Sequence, residues 1–251
     1  MIHLIQGPQE LAQWDNSPLG CRIFSMALGY ETKMPFLHFW REKSGCISLM
    51  DDVMTLAGDF EDSLELREFI HFSGAKTVFC ENSSLSKKLG FLVSDQGPEM
   101  IRNSERPSTS WNLSHPISLK KMHALLKACE TPFFSVPDFE PFYLDLNHRI
   151  RHQTADAWGI MDHDDLIACL AACISPKNAL LFSGAVRPNR RQHGIFSAMM
   201  EAIPAYFPER NLFLCCENSL CSYYQALGYH ICGQWIEMKT LSQNITKEIL
   251  S

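Results

Sequence analysis

The stretch Val186-Arg187-Pro188-Asn189-Arg190-Arg191-Gln192-His193-Gly194-Ile195-Phe196 decides how the second half of this chain is interpreted. An apolar run precedes it, and apolar residues at helical spacing follow, which predicts a strand, a loop and a helix from about Gln192. Backbone N–H groups at the start of a helix have no helical partners, and the helix dipole adds positive potential there. Gly194 leaves room beside the backbone, so the stretch predicts a phosphate-binding loop.

Three strands are predicted directly upstream of this loop. They cover residues 157–161, 166–174 and 179–186, and the short turns between them favour an antiparallel meander. Downstream, the pattern predicts a strand at 212–216, a short helix at 219–226 and a last strand at 231–238. Gly228 fits the end of that helix. The order predicts a mixed α/β fold with a central, mostly antiparallel sheet flanked by helices.

The loop and the downstream segment together resemble the GNAT superfamily of acyl-CoA-dependent N-acyltransferases. The family's motif, Arg/Gln-x-x-Gly-x-Gly/Ala, is matched by residues 191–196, with Phe196 in place of the final small residue. Its later segment, Asn and then a helix with Tyr-x-x-x-Gly-Phe, is matched by Asn218, Tyr224, Gly228 and Tyr229. The resemblance covers about residues 141–240 and implies the GNAT fold for that part of the chain.

The resemblance also implies a role for each matching residue, with acetyl-CoA as co-substrate and no metal. Backbone amides of the loop would hold the pyrophosphate, and the preceding strand end and Asn218 would contact the pantetheine arm. Tyr224 would protonate the departing thiolate, a task for which a positioned acid is suited. The implied cofactor-binding residues are Ala185, Val186, Arg191, Gln192, His193, Gly194, Ile195, Phe196 and Asn218.

Other polar groups near these motifs keep two interpretations each. Glu217 is a candidate general base beside Asn218, and a water relay is the alternative. The cluster of Arg149, Arg151 and His152 is either a basic strand end at the surface or a contact for a CoA phosphate or an acidic substrate. The acidic turn at residues 162–165 is interpreted mainly as a turn.

The first half of the chain repeats part of this pattern. Cys80-Glu81-Asn82-Ser83 matches residues 216–219, and Leu89-Gly90-Phe91 corresponds to Leu227-Gly228-Tyr229, which indicates a duplicated unit. The first copy has Ser86 where the second has Tyr224, and no Arg-x-x-Gly-x-Gly loop precedes it. We therefore expect a degenerate GNAT-like domain at 1–100, a linker at 101–116 within a Pro- and Ser-rich stretch from 96, and a GNAT acetyltransferase domain at 117–251.

Composition limits the remaining classes of function. The chain has 251 residues and a net charge of −6, which argues against a nucleic-acid binder. No apolar run is long enough for a membrane helix, no signal peptide is evident, and the ten scattered cysteines suggest reduced thiols, so we expect a cytoplasmic protein. The sequence predicts acetyl transfer to a small-molecule amine by direct attack. A non-catalytic CoA-binding or scaffolding protein is the alternative, and the oligomeric state stays open.

Overall fold

The computed structural model describes residues 1–31, 34–103, 112–131 and 134–240. The chain forms two compact units. Unit 1 comprises residues 1–100, 215–221 and the segment from 231, and unit 2 comprises residues 101–214 and 222–230. Each unit is a mixed α/β structure, as the sequence predicts for the fold class.

Unit 1 is built on seven strands in the order β1-β2-β3-β4-β5-β11-β6. Its elements are β1 (His3–Leu4), α1 (Pro18–Tyr30), β2 (Leu37–Arg41), β3 (Gly45–Met50), β4 (Val53–Gly58), α2 (Ser63–Ser73), β5 (Thr77–Cys80), α3 (Ser83–Leu89), β6 (Leu92–Asn103) and, from the end of the chain, β11 (His230–Lys239).

Local sequence sets the ends of the helices in unit 1. Ser17 caps α1 by accepting a hydrogen bond from the Gly20 amide at 3.1 Å, and proline at the first helical position suits the fixed φ of its ring. Asp62 caps α2 and Gly74 ends it in the left-handed conformation. Buried side chains from both faces of the sheet form two apolar clusters, one against α1 and one against α2 and α3.

Unit 2 is built on four strands in the order β10-β9-β8-β7. Its elements are α4 (Leu119–Lys127), α5 (Phe139–Arg151), β7 (Ala155–Asp162), β8 (Asp165–Ile174), β9 (Asn178–Val186), α6 (Ile195–Ala202), β10 (Asn211–Cys215) and α7 (Cys221–Ala226). Strands β7, β8 and β9 form the predicted antiparallel meander, and β10 runs parallel to β9. Helices α4 and α5 cover one face of it with apolar side chains.

The two units repeat one strand pattern. In unit 1, β2, β3 and β4 are antiparallel neighbours, α2 follows, and β5 pairs parallel to β4. In unit 2, β7, β8 and β9 are antiparallel neighbours, α6 follows, and β10 pairs parallel to β9. The duplication indicated by the two Cys-Glu-Asn-Ser stretches therefore has a structural counterpart.

Several local predictions were wrong. Residues 96–103, predicted to be exposed connection, belong to β6, and residues 104–111 of the expected linker lie outside the described part. Helix α6 begins at Ile195 instead of Gln192, because Gln192 has a left-handed backbone with φ +64°. The helix predicted at 219–226 is a 3-10 turn at Asn218–Leu220 followed by α7.

The basic cluster is not a strand end. Arg149 and Arg151 lie in the last turn of α5, and His152 follows directly after the helix. Arg149 is buried, with its guanidinium 3.5 Å from the Asp145 carboxylate and 2.9 Å from the Cys173 sulfur. This arginine therefore contributes to the packing of α5 on the sheet. No helix among the described residues is both long enough and apolar enough to cross a membrane.

Candidate active site

The predicted loop lies where β9 and β10 separate. Within the described residues, the parallel ladder between these strands ends at the pair Leu181 and Leu214. Strand β9 continues for five more residues, to Val186, and pairs there with β8. Beyond that pair, the edge of β9 that faces away from β8 has no β10 partner, and Ala185 and Val186 lie on this stretch.

A bulge interrupts β9 on this stretch. Ala171 pairs with Phe182 and Cys169 pairs with Ala185, so two residues of β9, Ser183 and Gly184, oppose one residue of β8. Ser183 takes a positive φ of +51°, which turns its peptide groups out of the regular ladder. The bulge therefore changes the direction of backbone donors and acceptors near the end of the strand.

Phe196, the departure from the family motif, packs onto this bulge. A Cβ atom added at Gly184 would lie 2.7 Å from Cζ of the Phe196 ring. Glycine at 184 is therefore what admits the large side chain at 196. Leu170 on β8 completes the contact, at 3.2 Å from the same added Cβ.

The loop exposes a row of backbone amides before α6. Gln192 and Gly194 both take left-handed conformations, with φ +64° and +71°, on either side of His193. The His193 ring bends back to the Arg191 carbonyl, with Nδ1 at 2.6 Å from the oxygen. Gly194 is the N-cap of α6 and has no side chain to occupy the first helical amides, those of Ile195 and Phe196. Successive free amides at a helix start form an anion-binding concavity.

The three loop arginines differ in their partners. Arg190 forms an ion pair with Asp162, and Arg187 lies 3.6 Å from the Asp165 carboxylate. The Arg191 Nε donates to the Val186 carbonyl at 3.2 Å, and no carboxylate among the described residues pairs with its guanidinium. Among the three loop arginines, Arg191 is therefore the one whose charge no carboxylate of the described residues balances. The acidic turn at 162–165 anchors the other two arginines, a role that the sequence interpretation missed although the β8–β9 hairpin brings the two segments together.

Tyr223 joins α7 to the first turn of α6. Its hydroxyl lies 3.0 Å from the Ser197 Oγ, and its ring stacks on Phe196 with 6.4 Å between centroids. Burial raises the pKa of Tyr223, so this hydroxyl stays protonated at neutral pH. The sequence motif assigns the acid role to the neighbouring Tyr224, while the adjacent pair Tyr223 and Tyr224 leaves the register of the motif open.

The ring of Tyr224 lies against two other tyrosines. Its ring centroid is 5.2 Å from that of Tyr223 and 6.0 Å from that of Tyr229, both edge to face. Tyr229 is fully buried, and burial raises the pKa of its hydroxyl far above the usual range. Tyr229 therefore packs against α7, on which the other two rings lie.

Glu217 and Asn218 belong to the part of the chain assigned to unit 1. Both side chains are exposed, and Asn218 begins the 3-10 turn that precedes α7. The Glu217 carboxylate accepts a hydrogen bond from the Ser219 hydroxyl at 3.3 Å. Their roles toward a substrate stay predictions.

The corresponding helix in unit 1 is α2, and a side chain already caps its first amides. The Asp62 carboxylate accepts hydrogen bonds from the Leu64 and Glu65 amides, both at 2.9 Å, so these amides are occupied. Asp59 adds a carboxylate to the same loop, and the carboxylate of Glu61 pairs with Lys43 at 3.0 Å. The positive end of the α2 dipole therefore already faces an acidic side chain, whereas that of α6 has no side-chain cap.

Comparisons with known proteins concern the same part of the chain. Residues 119–229 match the model of the Acetyltransferase (GNAT) family. This segment is a GNAT domain. No curated protein matches the chain by sequence.

Solved structures extend the likeness in fold. A tandem GNAT protein from the clavulanic acid biosynthesis pathway aligns with a TM-score of 0.59 at 13% identity, covering 96% of this chain and 98% of that one. A GCN5-related N-acetyltransferase from Kribbella flavida aligns with a TM-score of 0.58 at 12% identity, covering 81% of this chain and 89% of that one. A GCN5-related N-acetyltransferase from Sphaerobacter thermophilus aligns with a TM-score of 0.55 at 13% identity, covering 96% of this chain and 95% of that one. At these identities the likeness concerns the fold.

Proposed function

We propose that the protein is a cytoplasmic N-acetyltransferase that moves an acetyl group from acetyl-CoA to the amine of a small molecule. One observation carries the proposal: the strand β9 ends in an amide-lined turn that opens onto an uncapped helix beside the unpaired Arg191. The GNAT family match over the same segment supports it. All ten cysteines are free thiols, which fits a reducing compartment.

Binding of the co-substrate divides between the loop and the strand. The amides from Gln192 to Phe196 hold the pyrophosphate, and Arg191 adds a charge-assisted contact. The edge of β9 at Ala185 and Val186 pairs with the pantetheine arm, since its ladder with β10 has ended. When bound, acetyl-CoA supplies the activated thioester, and these contacts align it for attack.

Two proton transfers accompany the reaction. The amine nitrogen forms a bond to the acyl carbon, the carbon–sulfur bond breaks, and the Tyr224 hydroxyl gives its proton to the leaving sulfur. The amine loses a proton to Glu217 or to a water molecule. Tyr223, with its hydroxyl engaged by Ser197, acts as a positioning residue that keeps α7 against α6.

A binding measurement tests the co-substrate first. A thermal shift with acetyl-CoA is compared with ADP and with inorganic phosphate at equal concentration. At 100 times its dissociation constant, a ligand stabilises the folded state by about 2.7 kcal/mol. A selective shift supports the site, whereas no shift at millimolar acetyl-CoA contradicts it.

A turnover measurement then separates enzyme from scaffold. We expect Tyr224→Phe to lower kcat by about 10²-fold or more while acetyl-CoA binding is retained. Tyr229→Phe removes a buried neighbouring hydroxyl and serves as the matched control, with kcat unchanged. Equal kcat in both variants would remove Tyr224 from the mechanism.

The second candidate function is a CoA-binding protein without catalysis. The Phe196 ring on the bulge favours it, because this ring lies beside the edge that the pantetheine arm needs. That candidate predicts acetyl-CoA binding with no product formation across a library of primary amines.

A further inference from the structure

An aromatic groove lies on unit 1, away from the phosphate loop in sequence. It has a volume of about 710 Å³ and runs between the sheet and α2. The residues that line it include five with aromatic rings and one acid: Phe36, His38, Trp40, Phe69, Phe72 and Asp51. The volume is within the range of pockets that hold small organic ligands.

The floor of the groove is a set of aromatic rings. Trp40 meets Phe69 edge to face at 5.0 Å between centroids, and His38 lies 5.7 Å from Trp40. Phe72 is 92% exposed and Phe36 is 40% exposed. Large rings left in water around one concavity offer stacking surface to a flat ligand.

The charge of the groove selects a cation. Asp51 lines it, and among the described residues no ion pair or side-chain hydrogen bond involves its carboxylate. The neighbouring Asp52 is the residue that pairs with Lys76, at 3.0 Å. No lysine or arginine is among the lining residues. Aromatic faces together with an unpaired carboxylate attract organic cations and repel anions.

The strand pairings relate Trp40 to a position in unit 2. In unit 1, Thr77 on β5 pairs with Val53 on β4. Three residues further along β4, Leu56 pairs with Ile47 on β3. Ile47 in turn pairs with Trp40 on β2.

The two Cys-Glu-Asn-Ser stretches are 136 residues apart, so the residue of unit 2 that corresponds to Thr77 is Phe213. The same sequence of strand pairings can be followed from there. Phe213 pairs with Leu180 on β9, and three residues further on is Ser183, in the bulge opposite Leu170. Leu170 pairs with Trp158 on β7. Trp40 and Trp158 therefore occupy equivalent positions in the two units.

In unit 2 the place over this tryptophan is filled by the chain itself. The His115 ring stacks on Trp158 at 5.6 Å with 21° between planes, and Tyr206 lies 5.5 Å from Trp158. A carboxylate holds the imidazole, with 2.8 Å between His115 Nε2 and Asp156 Oδ2. In unit 2 the occupant of this position is therefore a flat nitrogen-bearing ring, held by an acid on the same strand as Trp158.

We propose that the groove of unit 1 binds a planar aromatic cation, stacked on Trp40 with its positive group at Asp51. The ligand takes the place that His115 fills in unit 2, with Phe72 and Phe36 covering its ring. This site is independent of the acetyl transfer proposed above, and it is tested without acetyl-CoA.

The test compares three probes on the full chain by ligand-observed NMR titration. They are 2-phenylethylammonium, 3-phenylpropionate with the same ring and the opposite charge, and hexylammonium with the same charge and no ring. We expect the first to bind about tenfold more tightly than either of the others. Equal affinity for the cation and the anion would overturn the proposal, as would equal affinity for hexylammonium.

Two variants assign the contacts. Asp51→Asn should reduce the preference for the cation to less than about twofold, whereas Asp164→Asn, at an exposed position of unit 2, leaves it unchanged. Phe72→Ala should weaken binding severalfold, and the exposure of this ring means that its loss leaves the fold intact. Wild-type affinity in both Asp51→Asn and Phe72→Ala would place the probe elsewhere and refute the site. A change in the sedimentation of Phe72→Ala would show instead that a second copy covers the groove.

Discussion

Substitution of Arg191 by glutamine is the sharpest perturbation of the phosphate loop. Arg191 is exposed, its Nε is fixed by the Val186 carbonyl at 3.2 Å, and no carboxylate among the described residues neutralises it. Arg190 and Arg187 are paired with Asp162 and Asp165, so they contribute less net charge to a ligand. The variant removes the loop's unpaired guanidinium and leaves its backbone amides in place.

The expected loss of binding free energy is moderate because the Arg191 side chain is exposed to solvent. A charge-assisted hydrogen bond contributes about 1.5–3 kcal/mol, and a contact at about 4 Å near a surface is worth about 1–4 kcal/mol, of which solvent screens a large part. We expect a net loss of about 1–2 kcal/mol, which is a 5- to 30-fold rise in the acetyl-CoA Kd. The difference between the two proteins should shrink as salt increases.

Isothermal titration calorimetry measures the effect, with Arg210→Gln as the control. Arg210 precedes the start of β10, at the opposite end of the strands, and its Nε bonds the Ser175 carbonyl at 3.1 Å. This control changes the net charge equally and should leave the Kd unchanged. If Arg191→Gln binds acetyl-CoA within twofold of the wild type, the reasoning that assigns the phosphate to this loop is refuted.

Three further predictions concern single groups. Gly194→Ala should lower the stability by about 1 kcal/mol, because the backbone there has a positive φ, and it should also weaken acetyl-CoA binding. Gly74 also has a positive φ and open space around it, so Gly74→Ala should lower the stability by about the same amount without affecting binding. Denaturation measures the stability of both variants and calorimetry measures their binding. Tyr229→Phe should be neutral or stabilising by up to about 1 kcal/mol, because the buried hydroxyl has no hydrogen-bond partner among the described residues, and a large loss in thermal denaturation would contradict this. Burial, and then the nearby Glu81 carboxylate, raise the pKa of Glu99 from 4.5 to about 9, so the folded state holds a proton that the unfolded chain releases. Stability should therefore fall as pH rises between about 4.5 and 9, at no more than about 1.4 kcal/mol per pH unit, and urea titrations of Glu99→Gln should show a flatter decline.

The strand and loop of unit 2 were predictable because their signals are local. Pro188 and Gly194 interrupt the regular pattern on either side of the turn, and the apolar spacing after Gly194 has the period of a helix. The start of α6 was misplaced by three residues because a left-handed Gln192 is set by the turn geometry, which propensity does not encode.

Strand β6 was missed because its composition resembles a loop. Gly97 and Pro98 are turn residues by preference, yet the Pro98 carbonyl accepts the Cys216 amide at 3.2 Å. A side chain at 97 would collide with the Cys216 carbonyl, so glycine here serves a close backbone approach within unit 1. Pairing partners so distant in sequence cannot be read from one segment.

The two units show why duplication of a fold does not duplicate a site. Both place a helix after the strand of a parallel pair, and the dipole of each helix favours an anion at its start. In unit 1 the Asp62 side chain already supplies that anion, which stabilises α2 by about 1 kcal/mol and removes its free amides. In unit 2 Gly194 leaves α6 without a side-chain cap, and in the function proposed above its first amides bind the pyrophosphate instead. The same interaction of the helix dipole with an anion thus stabilises α2 through its own side chain, and in the proposed function it favours a bound pyrophosphate at α6.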